Sequence, residues 1–208
     1  MNKKDLYRKL VREEELTKEE AKSLGDTRKA NLDLPFKYII RGDKYLGAPV
    51  YSEGLKNIAT ICSSKNNLVA KVSNSRERNF LTFLFPFFSK FFLESEFKKH
   101  LKVYNNSSQI GINAPKPSGL YNIYDISQRK FFIGQIMEKI DGETLLKYKY
   151  KLGKKQTKNY RILSKRMDYN QDKLNKYFIP EDLDERNVVI ERRTNKIFYI
   201  DFELWKIK

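Results

Sequence analysis

The clearest hydrophobic pattern lies near the end of the printed sequence, where two short apolar runs flank a polar turn. Residues 188–190 and 197–200 are apolar and rich in β-branched and aromatic types, and residues 192–195 between them are polar. This pattern predicts two antiparallel strands joined in a hairpin. Further short apolar runs over residues 36–72, separated by Gly42, Gly54 and Asn66, predict three more strands, and another run covers residues 131–137.

Helical patterns occupy the beginning and the middle of the sequence. Leu6, Tyr7 and Leu10 recur on one helical face, and Thr17 followed by Glu20 is the signature of a capping box. We therefore predict a helical extension over residues 1–35. A charged, helix-like segment also covers residues 94–104. Together with the strands, these helices predict an α+β protein.

Three polar residues stand next to the predicted hairpin. Asp182 and Asn187 precede its first strand, and Asp201 follows its second strand. Carboxylate and amide oxygens suit Mg²⁺, and phosphoryl transfer depends mainly on positioning and charge neutralisation. Asn187 and Asp201 are thus candidate metal ligands, and Asp182 is the candidate group that accepts the proton of an attacking hydroxyl. The alternative is a plain hairpin with its acids in solvated turns.

Two upstream passages supply further candidates. Lys71 lies in the apolar run 67–72, where it is either a phosphate-binding lysine or an edge residue, and Glu96 is its preferred partner, with Glu94 as the alternative. Met137 and Glu138 end another apolar run and are followed by Ile140, Asp141 and Gly142.

These passages, in this order, resemble the eukaryotic-protein-kinase-like superfamily. The likeness is greatest to its small atypical branch, which contains RIO-type kinases, the kinase of the tRNA threonylcarbamoylation complex and lipopolysaccharide sugar kinases. The resemblance implies a bilobal fold with ATP in the cleft. It implies an N-lobe with a five-stranded antiparallel sheet over residues 36–140 and a short, minimal, mainly helical C-lobe over residues 141–208. It also implies that ATP and Mg²⁺ are bound, with ATP contacts from Lys71, Glu96, Glu138, Ile140 and Gly54.

Several positions depart from the kinase pattern. Pro180 and Glu181 replace the usual His-Arg before the catalytic Asp, Asp184 replaces a lysine, and Glu203 replaces a glycine. Only Gly47 and Gly54 are available for a nucleotide-covering loop, and seven residues follow Asp201, so we expect no ordinary peptide-docking platform. The acceptor hydroxyl is therefore open between protein Ser/Thr and a glycolipid sugar. A pseudokinase that binds nucleotide or a partner without turnover is an alternative.

Composition adds expectations about partners. The net charge is +16, and residues 147–166 hold nine Lys or Arg with no Asp or Glu. This segment predicts an anionic partner, either RNA or a membrane surface, unless it is a solvated face, and an RNA-binding module is a further alternative function. Residues 80–92 hold seven of the 14 phenylalanines, either packed on the lobe or as an apolar docking patch. A single cysteine and a charged start favour a cytoplasmic protein, with peripheral membrane attachment as an alternative.

Overall fold

The computed structural model describes residues 2–12, 14–25, 27–28, 30–37, 57–62, 67–73, 86–125, 129–152, 158–202 and 204–208. The chain divides into two compact units, the first comprising Met1–Glu94 and Ser118–Lys139 and the second comprising Ser95–Pro117 and Ile140–Lys208. Whether these units are the lobes of a kinase stays a prediction. The helices and strands form a mixed α+β structure, as predicted. In chain order they are α1 (Lys3–Arg12), α2 (Lys18–Leu24), β1 (Asn57–Cys62), β2 (Leu68–Ser73), α3 (Pro86–Ile110), β3 (Pro117–Asp125), β4 (Lys130–Glu138), β5 (Gly142–Thr144), α4 (Leu145–Lys151), α5 (Lys158–Leu174), β6 (Phe178–Pro180), a 3-10 helix (Glu185–Asn187), β7 (Val188–Glu191), β8 (Ile197–Tyr199) and β9 (Trp205–Ile207).

The first unit is built on a sheet with the strand order β1-β2-β4-β3. Strand β2 runs antiparallel to both neighbours, and Ala70 is paired with Thr60 on one side and Ile136 on the other. Ala70, Ile123 and Ile136 form a small buried cluster on this sheet. The described residues of this unit contain four strands, where five were predicted. The residues expected to supply a further strand, 38–56, lie outside the described part of the chain.

The N-terminal helices belong to the core of the first unit. One buried cluster contains apolar residues from the N-terminal segment and three aromatic residues. Its members are Leu6, Leu10, Leu16, Ala21, Phe36, Tyr124 of β3 and Phe131 of β4. The predicted capping box is confirmed, because the Glu20 amide donates to Thr17 Oγ1 and the Thr17 amide donates to Glu20 Oε2. Leu6 and Leu10 of the predicted apolar face are thus packed against the sheet, whereas Tyr7, predicted on the same face, is exposed.

Helix α3 begins at Pro86, whose fixed φ and missing N–H are tolerated in a first helical turn. The predicted helix over residues 94–104 is therefore confirmed as the middle of a longer one. The division between the two units falls within this helix, between Glu94 and Ser95. Residues 80–85 of the phenylalanine-rich segment lie outside the described residues.

The second unit combines helices with two small sheets. One sheet has the order β5-β7-β8 and the other pairs β6 with β9. Its core gathers residues from α3, α4, α5 and these strands, among them Val103, Leu145, Leu163, Val188, Tyr199, Phe202 and Trp205. Helices account for more residues of this unit than its five short strands do, so the unit is mainly helical but not purely so. Strand β5 follows Asp141 directly, and Thr144 then caps α4 by accepting a bond from the Lys147 amide.

The described helices include none that is both long and apolar enough to cross a lipid bilayer.

Gly142 is required by the close approach of β5 to β7. A Cβ atom built on Gly142 would lie 2.0 Å from the carbonyl oxygen of Ile190, which is backbone and cannot move aside. We expect Gly142→Ala to lower the free energy of unfolding by about 1–3 kcal/mol, because the added methyl group forces the strands apart. Urea unfolding followed by Trp205 fluorescence measures this change. The neighbouring exposed Asp141→Ala variant is the control and should change stability by less than about 0.5 kcal/mol.

Glu20 links the two N-terminal helices and should make their stability depend on pH. Its carboxylate accepts a bond from Lys9 Nζ at 2.8 Å and one from the Thr17 amide, and these bonds lower the pKa of Glu20 below its ordinary value. A lowered folded-state pKa stabilises the folded protein above the unfolded pKa of 4.5, and this contribution is lost as the pH falls through the folded value.

We therefore expect Glu20→Gln to lower stability at neutral pH and to reduce the further loss on acidification. Unfolding by urea at neutral pH and below pH 4.5, followed by far-UV circular dichroism, measures both effects. Glu19→Gln, on the exposed side of the same turn, serves as the control. An equal acid sensitivity in Glu20→Gln and wild type would contradict the assignment.

Candidate active site

The predicted hairpin is confirmed, and its register brings two loops to one end of the sheet. Val188, the first residue of β7, is paired with Tyr199, the last residue of β8. The segment before β7 and the segment after β8 therefore leave the sheet side by side. The Ile200 amide donates to the Asn187 carbonyl at 3.0 Å, which extends this contact to the residue before Asp201.

The loop of residues 182–187 is held by an internal network. The side-chain nitrogen of Asn187 donates to the Asp182 carbonyl at 3.0 Å and to Asp182 Oδ2 at 3.1 Å. The Asn187 amide donates to the Asp184 carbonyl at 2.9 Å, closing the single turn of 3-10 helix. The structure thus brings two of the predicted site residues, Asp182 and Asn187, into direct contact.

Asp184 and Arg186 form a second, more exposed pair in this loop. Asp184 accepts the Arg186 backbone amide at 2.8 Å and its guanidinium at 3.0 Å. The hydrogen bond from Arg186 holds the pKa of Asp184 below its ordinary value, although partial burial acts in the opposite direction. Asp184 is thus paired with a cation two residues later in the chain.

Phe202 fixes the segment that carries Asp201. Its ring is fully buried and lies 4.9 Å from the Trp205 ring and 4.7 Å from the His100 imidazole, centre to centre. His100 Nε2 is also 2.7 Å from the Pro115 carbonyl oxygen. The single histidine, which cannot serve in the 182–187 loop, therefore packs against the residue that follows Asp201. His100 lies one helical turn after Glu96 on α3. In the sequence, only its position on the buried face of this helix could have indicated that it packs against Phe202.

Asn113 supports the other side of the hairpin. Its carbonyl accepts the Tyr199 amide at 3.1 Å, and its side-chain nitrogen donates to the Ile197 carbonyl at 2.9 Å. Asn113 therefore acts as a short strand beside β8. No local pattern predicts this contact, because 84 residues separate Asn113 from Ile197.

The predicted nucleotide-binding residues are distributed over both units. Lys71 lies in β2, a strand with a neighbour on each side, and is 5% exposed; Glu96 lies on α3 and is 3% exposed. Burying a charged side chain is costly unless it is paired. An ion pair between Lys71 and Glu96 stays a prediction. Gly54 lies outside the described residues, as does Glu203.

The predicted adenine-binding segment follows β4. Glu138 is exposed at the end of β4 and Ile140 is buried, two residues further on. Between them, the Lys139 amide donates to the Asn67 carbonyl at 2.7 Å. This bond joins the end of β4 to the turn before β2.

The donor chemistry of the 182–201 region fits Mg²⁺. Because the Asn187 side-chain nitrogen binds Asp182, the amide oxygen of Asn187 is the atom left for a metal, and Asp201 supplies a carboxylate. Within the described residues, no group of three or more His, Cys, Asp and Glu could hold a metal ion. Two protein oxygens are fewer ligands than the octahedral shell of Mg²⁺ requires, so other ligands would have to complete it.

A further cluster at this site was not predicted. Glu185, in the 3-10 helix, accepts bonds from Lys149 Nζ on α4 at 3.0 and 3.2 Å and from the Tyr160 hydroxyl on α5. The bonds to Glu185 and Tyr160 raise the pKa of Lys149, and burial followed by the bond to Glu185 raises the pKa of Tyr160. Both donors therefore keep their protons at neutral pH. In the sequence these residues appeared only as part of a basic, tyrosine-containing run.

The segments predicted to bind partners are only partly described. On α5, the side chains of Lys158, Arg161, Lys165 and Arg166 are exposed, whereas residues 153–157 lie outside the described part. In the phenylalanine-rich segment, residues 86–92 form the beginning of α3, and Phe91 is exposed. Binding of RNA, a membrane surface or an apolar partner by these segments stays a prediction.

Comparisons with known proteins assign no family to the chain. No protein-family model matches it, and no curated protein matches it. Among solved structures, the chain is similar to the co-crystal structure of WbdD and the kinase inhibitor LY294002, with 18% sequence identity and a TM-score of 0.48. The match covers 74% of this chain and 32% of the WbdD chain, so this chain spans about a third of that protein. A likeness at this level defines neither fold nor activity.

The support that Asn113 gives to β8 can be tested by removing its side-chain amide. We expect Asn113→Ala to lower the free energy of unfolding by about 1–3 kcal/mol, because the Ile197 carbonyl loses its donor in a partly buried position. Urea unfolding measures the loss. Asn106→Ala is a matched control, because the Asn106 side chain donates to an exposed helix carbonyl. This variant should lower the free energy of unfolding by less than about 0.5 kcal/mol. Equal effects of the two variants would contradict a special role for Asn113.

Proposed function

We propose that this protein is an ATP- and magnesium-dependent phosphotransferase of the kinase-like kind, which moves the γ-phosphoryl group of ATP to a hydroxyl acceptor. The observation that carries the proposal is the contact between Asn187 and Asp182 beside the chain segment that delivers Asp201. A candidate proton acceptor and two candidate metal ligands are thereby held at one end of one small sheet.

Each of the three residues has a separate role in the proposed reaction. The acceptor oxygen forms a bond to the γ-phosphorus, the bond between that phosphorus and the bridging oxygen breaks with its electron pair leaving on ADP, and the acceptor proton passes to the Asp182 carboxylate. The bond from Asn187 to Asp182 Oδ2 orients this carboxylate. Asn187 and Asp201 hold Mg²⁺, which neutralises phosphate charge when it is bound.

The first unit contributes a phosphate contact in this proposal. Lys71 lies on β2, flanked by strands on both sides, so its backbone is fixed by pairing with Ala59 and Gln135. A lysine fixed in this way can place an ammonium group against ATP phosphates, with Glu96 as its proposed counter-charge. The acceptor is a Ser/Thr hydroxyl of a protein or a sugar hydroxyl of a glycolipid, and Asp184 in place of a lysine keeps the second class in consideration.

Catalysis is tested by measuring phosphate release from Mg-ATP and autophosphorylation with radiolabelled ATP. We expect Asp182→Ala to lower kcat by about 10²–10⁴-fold, because the acceptor proton loses its base, and to leave ATP affinity nearly unchanged. Asp201→Ala should instead weaken Mg-dependent ATP binding. Asp172→Ala, which removes an exposed acid on α5, is the matched control and should behave as wild type.

The outcomes separate the proposed functions. Equal background rates for wild type and Asp182→Ala, with ATP binding retained, would reject catalysis in favour of a pseudokinase. Absence of Mg-dependent ATP binding in wild type would reject both functions.

A further inference from the structure

Glu185, Lys149 and Tyr160 form a cluster, called here the Glu185 cluster, that contacts the 182–187 loop next to Asn187. Glu185 and Asn187 belong to the same three-residue 3-10 turn, and Asn187 is the residue that contacts Asp182. A single 3-10 turn has too few hydrogen bonds to hold its own orientation. Contacts outside the turn must therefore set the direction in which Asn187 and Asp182 point.

Two helices meet on the Glu185 carboxylate. Lys149 reaches it from α4 with bonds to both oxygens, and Tyr160 reaches one of them from the first turn of α5. Tyr160 is itself part of the buried core of the second unit, and the Lys149 ammonium lies 5.5 Å from its ring centre. The loop is thus tied through one carboxylate to two separate helices.

The contacts of Lys149 and Tyr160 with Glu185 differ in how strongly they restrain the loop. The Glu185 side chain is 18% exposed and that of Lys149 is 41% exposed, so solvent screens their charge interaction. The Tyr160 ring is 6% exposed and cannot follow Glu185 if the loop moves. We therefore infer that the Tyr160 hydroxyl holds Glu185 in a fixed position, and that the Lys149 ammonium makes a second, more mobile contact.

We propose that Glu185 is a positioning residue, which Tyr160 and Lys149 hold so that Asp182 and Asn187 keep their relative orientation. This inference rests on the proposed phosphotransferase function for its effect on rate, but its structural part concerns the loop alone. Neither Tyr160 nor Lys149 takes part in the chemical step.

The test compares Tyr160→Phe, Glu185→Gln and the double variant in Mg-ATP hydrolysis. We expect kcat to fall by about 10–100-fold in each, since displacements near 1 Å at a reacting centre have effects of this size, with KM for ATP within about twofold of wild type. The double variant should be no slower than the slower single variant, because both substitutions release the same carboxylate. Lys149→Met should also lower kcat, whereas Lys149→Arg, which keeps the positive charge, should keep most of the wild-type kcat.

Lys206→Met is the matched control. It breaks an ion pair with Glu181, the residue directly before Asp182, but both partners of that pair are substantially exposed. This variant should keep the wild-type kcat. Additive losses in the double variant, an unchanged kcat in Tyr160→Phe, or a fall in kcat only in proportion to lost folded protein would each overturn the positioning role.

A second measurement keeps this inference separate from the proposed function. Amide hydrogen exchange at Asn187 and Ile200 reports on the loop and its bond to the residue that follows β8, whether or not the protein turns over ATP. Exchange at these amides should be faster in Tyr160→Phe than in wild type and unchanged in Lys206→Met. If wild type lacks activity and the exchange still rises, only the phosphotransferase proposal fails. If the exchange does not change, the positioning role fails.

Discussion

The register of the hairpin formed by β7 and β8 is the constraint on which the candidate site depends. Pairing of Val188 with Tyr199 places the exit of the 182–187 loop against the exit toward Asp201. A shift of this pairing by one residue would turn every side chain of a strand to the opposite face. In β8, Ile197 and Tyr199 are buried and Phe198 between them is partly exposed, so a shift by one residue would move buried side chains to the more exposed face. Core packing and site geometry therefore have the same physical cause.

Local patterns in the sequence predicted the parts of the fold that depend on neighbouring residues. The hairpin follows from two apolar runs around a polar turn, and Asn195 in that turn adopts a positive φ of 56°, which asparagine tolerates well. The start of α2 follows from the spacing of Thr17 and Glu20. The strand around Lys71 and the helix around Glu96 were likewise marked by apolar runs and periodicity. In each case the residues that decide the structure lie within a few positions of one another.

The errors and omissions concern contacts between distant segments. Strand β5 is only three residues long, and its formation depends on pairing with β7 rather than on its own sequence. The stack of His100 on Phe202 joins a helix to a loop across about half the chain, and the Glu185 contacts join three elements. Short polar side chains such as Asn113 have no periodic signal, so only the tertiary structure reveals what they bind.

The position of Asn113 also bears on how the protein behaves at high concentration. An outer strand normally presents unpaired amides and carbonyls, which can pair with the same strand of another molecule. Here the Tyr199 amide and the Ile197 carbonyl on the outer side of β8 are already bonded to Asn113. The short segment after α3 thus occupies these edge groups, so that they are not open to pairing with a strand of another molecule.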